Sequence, residues 1–130
     1  MARKVAGVNE ASSKLRTCIA TVSIAGDFRE KLAAISRAGF TGIEIFEQDF
    51  LAYDGRAVDV GWLVQDYGLE IMLFQPFRDF EGLPEPYRSR AFDRAERKFD
   101  LMNSMDADLV LICSNPVSYT HLTLPTTVFV

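Results

Sequence analysis

The chain has 130 residues, 48% of them hydrophobic, enough to bury one core and too few for several. Its 14 basic and 18 acidic residues give a formal charge of −4, and no basic run exceeds the pairs Arg3-Lys4 and Arg97-Lys98, so nucleic acid is not expected as a partner. No apolar run approaches the roughly 20 residues of a membrane span, and the N-terminus lacks the apolar stretch of a signal peptide, so a cytoplasmic protein without membrane attachment is expected.

Residues 1–16 mix charges, Ser and Gly without a period and are expected to form a loose extension. The run Cys18 to Ile24 (CIATVSI) is rich in β-formers and predicts a first strand. Behind Ala25-Gly26, Asp27 and Glu30 have the spacing of an N-cap pair, and Phe28, Leu32 and Ile35 form an apolar stripe. Gly39 stands where the helix needs a left-handed residue to close. Gly42 to Phe46 (GIEIF) predicts the second strand. The helix after it runs from about Ala57 to Tyr67, with Val60, Leu63, Val64 and Tyr67 on its apolar face and Gly68 at its end. Glu70 to Gln75 predicts the third strand, with Ile71, Leu73 and Gln75 on one face and Met72 and Phe74 on the other. Pro76, with no N–H to donate, is expected to end it. A loop holding Pro84 and Pro86 leads to the longest helix, about Tyr87 to Met105. Its inward positions are Ala91, Ala95, Phe99 and Met102, and Arg90, Asp93, Arg94, Arg97 and Lys98 are expected on a solvated face. Asp108 to Cys113 (DLVLIC) is apolar at every position after the first, as in strands covered on both faces of a parallel sheet, with Ser114 and Asn115 at its carboxyl end. Cys18 and Cys113 lie in such apolar runs without a Cys-x-x-Cys or Cys/His spacing and are expected to be small buried thiols.

The alternation β-α-β-α-β-α-β, with short connections, predicts an α/β domain with a parallel sheet. The pattern alone fits both an open doubly wound sheet and half of a (β/α)8 barrel, which typically needs about 250 residues. Glu44 favours the barrel. With Ile43 and Ile45 facing the helices, Glu44 and Phe46 face the other way, and a carboxylate buried in a sheet without a partner is costly. A wet barrel mouth accommodates it. Glu44 is read either as a site residue or as half of a structural ion pair, and Glu47 as a loop carboxylate.

The stretch LFQPFRDFEG, Leu73 to Gly82, is the candidate site. It places Gln75, Phe77 and Arg78 just past the carboxyl end of a parallel strand, where α/β folds hold their ligands. Arg78 between Phe77 and Phe80 suits bidentate capture of a carboxylate against an apolar wall. Its other reading is a surface arginine paired to Asp79 or Glu81. Gly39-x-x-Gly42 follows a helix, the wrong order for a dinucleotide fingerprint. The only histidine is His121, so no Ser/His/Asp constellation can be built.

Four passages, CIATVSIAG, AGFTGIEIFEQD, LFQPFRDFEG and AERKFDLMNSMDADLVLICSN, together resemble the bacterial 3-dehydroshikimate dehydratases of the xylose isomerase-like TIM-barrel superfamily, over Thr17 to Asn115. AGFxGIE marks only the superfamily, which also contains sugar isomerases, epimerases and an endonuclease branch. The resemblance implies that residues 17–115 are the first four βα units of a barrel. It implies a lyase that removes water from 3-dehydroshikimate to give protocatechuate in aromatic catabolism, with a sugar phosphate isomerase or epimerase as the alternative. It also implies a divalent metal (Mg, Mn or Co) that polarises the keto oxygen, a base for the adjacent proton and cationic groups for the carboxylate. Arg78 matches the family's loop arginine; Gln75, Phe77, Glu44 and Phe46 match positions lining the barrel mouth as substrate-binding residues. The family's metal ligands come from later strands, so no ligand and no catalytic residue is assigned here and the chain itself is expected to be inactive.

Residues 116–130 (PVSYTHLTLPTTVFV) carry no Asp, Glu, Lys or Arg. VSYTHLTLPT resembles an in-frame translation of a transposase-end sequencing adapter, so this tail is expected to be non-native, the other reading being a hydrophobic strand or linker.

Overall fold

A computed structural model describes residues 15–114, which form a four-stranded parallel sheet in the order β1-β2-β3-β4. The strands are β1 (Cys18–Ala20), β2 (Gly42–Phe46), β3 (Glu70–Phe77) and β4 (Val110–Ile112). The helices are α1 (Phe28–Arg37), α2 (Glu47–Ala52), α3 (Ala57–Asp66) and α4 (Tyr87–Met105), with a 3-10 turn over Thr21–Ser23. A doubly wound sheet reverses its strand order at a switch point. Here each strand adds beside the one before it, which is how a barrel grows.

The local signals explain the elements. Asp27 and Glu30 form a reciprocal capping box at α1, with bonds of 2.9 and 2.8 Å. Gly39 closes the helix at φ +87°. Gly42 is required for another reason: a Cβ there would lie 2.6 Å from the Glu70 carbonyl oxygen, so only glycine lets β2 and β3 approach. Ile43, Ile45, Val60, Val64, Leu32 and Phe74 are fully buried between the sheet and the helices. Phe50 of α2 meets Phe74 edge-on at 6.1 Å.

Several expectations are corrected. β1 stops at Ala20, because the chain turns into the 3-10 segment through Thr21. The register of β3 jumps from Ile43↔Ile71 to Glu44↔Leu73, leaving Met72 as an extra residue. This bulge breaks strict alternation, so Ile71 and Phe74 both face the core while Leu73 and Gln75 share the other face. Pro76 does not end β3, which continues to Phe77; the Phe77 carbonyl accepts from Cys113 N at 2.8 Å. β4 is shorter than expected and not covered on both faces: Leu111, Ile112 and the preceding Leu109 are exposed, and among the described residues β3 is its one partner strand. Phe99 is exposed, because the buried stripe of α4 runs through Ala91, Lys98, Met102 and Met105 instead. Cys18 and Cys113 are half-buried rather than enclosed. Asn115, His121 and the tail 116–130 lie outside the described residues.

Candidate functional site

All four strands run in parallel, so the 3-10 turn, the start of α2, the Arg78 loop and Cys113-Ser114 gather at one end of the sheet. On the face turned away from the helices, three side chains meet in a diagonal row that runs from Cys18 at the start of β1 through Glu44 to Gln75 near the carboxyl end of β3. Gln75 Nε2 donates to Glu44 Oε2 at 3.2 Å, and Cys18 Sγ donates to Glu44 Oε1 at 3.8 Å. Ala20, Glu44 and Leu73 are register partners, and Phe46 is opposite Gln75, so the row is a direct product of β2 alternation and the bulge at Met72. Glu44 is therefore held by two neutral donors.

The row has an electrostatic signature. Burial, then the charge of Glu44 and then its hydrogen bond push the Cys18 thiol above its ordinary pKa, so Cys18 stays a neutral donor. Glu44 is only half-buried and can accept further hydrogen bonds from a hydroxyl-bearing ligand. Thr21, fully buried, accepts from Phe46 N at 3.0 Å through its Oγ1 and ties the end of β1 to the end of β2.

Arg78 is exposed on the loop after β3, with Nη2 4.0 Å from Cys113 Sγ at the end of β4. Phe77 is not in the row. The register irregularity between Phe74 and Phe77 turns its ring toward α4, where it stacks on Phe80 at 5.3 Å and lines a cavity of about 340 Å3 with Leu83, Ala91 and Phe92. The structure thus brings Glu44, Gln75 and Phe46 together and places Phe77 beneath the Arg78 loop.

Four residues that the sequence did not single out fix this end of the sheet. Thr21 is one of them. Lys98 donates to Glu47 Oε1 and to the Pro76 carbonyl, both at 2.7 Å, and lies 4.9 Å from the Phe74 ring. Lys31 of α1 holds both oxygens of Asp49 at 2.9 and 3.0 Å, so α2 is clamped from two sides. Glu47 is thus the first residue of a helix and an ion-pair partner, not a loop carboxylate. Arg94 donates to the Arg78 and Asp79 carbonyls at 3.1 and 2.7 Å and sits 5.1 Å from the Phe77 ring centre. The expected solvated face of α4 does not hold for Lys98, which is buried, and Arg94, though exposed, is engaged with the loop after β3. Each is a cation whose partners come from elements distant in sequence, which periodicity along one helix does not register.

Among the described residues no group of three or more His, Cys, Asp or Glu is placed to hold a metal ion. Glu44 has Cys18 and an amide beside it, which does not make a metal site of the kind a lyase needs. No helix among the described residues is long and apolar enough to cross a membrane.

The chain is similar to proteins named 3-dehydroshikimate dehydratase: that of Pseudomonas aeruginosa is 58% identical over 101 residues, and that of Pseudomonas putida 54% over the same length. In both cases the match covers 78% of this chain and 16% of the relative, so the chain spans about a sixth of the length of the curated proteins it matches. A solved xylose isomerase-like TIM barrel/4-hydroxyphenylpyruvate dioxygenase fusion protein superposes with a TM-score of 0.75 at 53% identity, over 79% of this chain and 17% of that one. The family model described as xylose isomerase-like TIM barrel matches residues 32–125. With a singly wound parallel sheet and its carboxyl ends gathered at one rim, the chain belongs to the xylose isomerase-like TIM-barrel family.

Proposed function

We propose that the chain represents the N-terminal four βα units of a lyase that dehydrates 3-dehydroshikimate to protocatechuate, and that these units supply part of the substrate-binding wall. The observation that carries this is the 58% identity over 101 residues to a protein named for that activity. The mouth residues suit such a substrate. Arg78 would hold the ring carboxylate through its planar fork, Glu44 and Gln75 would take hydroxyl or keto groups, and Phe46 would give the ring an apolar surface. Phe77 would support the Arg78 loop from below. A divalent metal (Mg, Mn or Co) would polarise the keto oxygen in the intact enzyme, held by residues other than the described ones. The setting would be cytoplasmic aromatic catabolism. The test is a chimera in which residues 17–114 replace the matching segment of the Pseudomonas aeruginosa dehydratase. There Arg78→Lys should raise KM for 3-dehydroshikimate, and unchanged kinetics would return Arg78 to the surface-pair reading.

A further inference from the structure

Arg78 is an exposed side chain on a loop, so packing does not aim it; whatever fixes the backbone at residues 78 and 79 decides where its guanidinium points. That backbone is unusual. Asp79 sits at φ +60°, the left-handed region that few non-glycine residues adopt and that Asp tolerates better than most.

The surroundings are two cations one helical turn apart on α4. Arg94 Nη2 donates to the Arg78 carbonyl at 3.1 Å and to the Asp79 carbonyl at 2.7 Å. Lys98 Nζ donates to the Pro76 carbonyl at 2.7 Å, so the carbonyls of residues 76, 78 and 79 are all drawn to the same helix face. The Phe77 ring lies between the two cations, 5.1 Å from the Arg94 guanidinium carbon and 5.7 Å from Lys98 Nζ. An i, i+4 pair with this reach clasps the loop at three carbonyls.

We propose that Arg94 is a positioning residue for Arg78: laid against the Phe77 ring, it holds the carbonyls of Arg78 and Asp79 and so sets the direction in which the Arg78 side chain leaves the loop. This rests on the reading of Arg78 as the residue that holds the substrate carboxylate. Arg94 reaches the loop through the Arg78 and Asp79 carbonyls and the Phe77 ring, not through the Arg78 guanidinium. Its loss therefore acts on binding through Arg78 and not on the chemical step.

The experiment uses the chimera with variants R94A, R94K, R78A and R78A/R94A, read by steady-state kinetics and by amide hydrogen exchange over residues 78–82. R94A is expected to raise KM about tenfold, with the change falling on KM rather than kcat, because misaiming a binding group costs affinity first. R94K should recover part of this, since a single nitrogen makes both carbonyl bonds. The double variant should have a KM no higher than R78A alone, the non-additivity expected when one residue acts through another. Exchange over the loop should be faster in R94A than in the parent. Unchanged exchange in R94A, or a KM rise that persists undiminished in the R78A background, overturns the proposal. If R94A does not fold, R94K against the parent decides by the same two readouts. If loop exchange quickens but R78A leaves KM unaltered, the loop restraint stands and it is the carboxylate reading of Arg78 that fails.

Discussion

Lys98 and Glu47, 51 residues apart in sequence, meet at 2.7 Å, and the same ammonium reaches the Pro76 carbonyl at 2.7 Å from a side chain only 8% exposed. One lysine thus ties the helix that follows β2 to the strand end that carries Gln75. Lys98→Met keeps the apolar stem against Phe74 but removes every donor. Glu47, 33% exposed, can turn to water, whereas the Pro76 carbonyl loses its partner. The expected loss is about 1 to 3 kcal/mol, the cost of stranding a buried polar group. A shift in the urea midpoint of the chimera measures it. A loss below about 0.5 kcal/mol would place the pair among ordinary surface ion pairs.

Arg78→Lys keeps the charge and loses the fork. A charge-assisted bond to a carboxylate is worth about 1.5 to 3 kcal/mol, so KM should rise by roughly tenfold or more while kcat changes less. Substrate saturation curves of the chimera decide this. A fall in kcat at constant KM would assign Arg78 to the chemical step instead.

The Cys18 thiol should titrate above its ordinary value of 9.0, chiefly because it is partly buried and then because Glu44 faces it. A thiol whose pKa is raised by folding adds stability that is fully present below 9.0 and is lost as pH rises through the folded value. Alkylation rates against pH, in a Cys113→Ser background, locate the midpoint. Glu44→Gln should lower it by removing the charge while the amide still accepts. A midpoint at the free-thiol value would mean that Cys18 and Glu44 do not meet.

β4 and the residue before it present Leu109, Leu111 and Ile112 to solvent, 60%, 39% and 57% exposed, with one edge of the strand unpaired among the described residues. Exposed apolar edges template association. The 130-residue chain alone is therefore expected to elute from size exclusion above its monomer position, and Ile112→Lys to shift it back. A monomer with a sharp thermal transition would show instead that the four units close on themselves.

The alternation in GIEIF placed Ile43 and Ile45 in the core and Glu44 and Phe46 opposite them because a two-residue period needs no knowledge of the partner strand. The α1 cap was legible for the same reason: Asp27 and Glu30 satisfy each other locally. What stayed hidden depends on distant partners. The bulge at Met72 arises from how β3 lies against β2, and nothing in EIMLF marks it. The pattern of the residues points Phe77 toward the mouth, and the irregularity between Phe74 and Phe77 that turns it to α4 has no mark in the residues themselves. α2 has six residues, too few to show a helical period. Lys98 and Arg94 look like any charged residues on a long helix until Glu47 and the 76–79 carbonyls are beside them.

The most direct test is whether residues 17–114 can stand in for the matching segment of an enzyme that performs the dehydration. Protocatechuate formation from 3-dehydroshikimate is followed for the chimera and for the isolated 130-residue chain, each with Mg, Mn or Co. The chimera should turn over substrate and the chain alone should give none above a protein-free control. A folded chimera without turnover would contradict the dehydratase assignment, and turnover by the chain alone would contradict the placement of the metal and base outside the described residues.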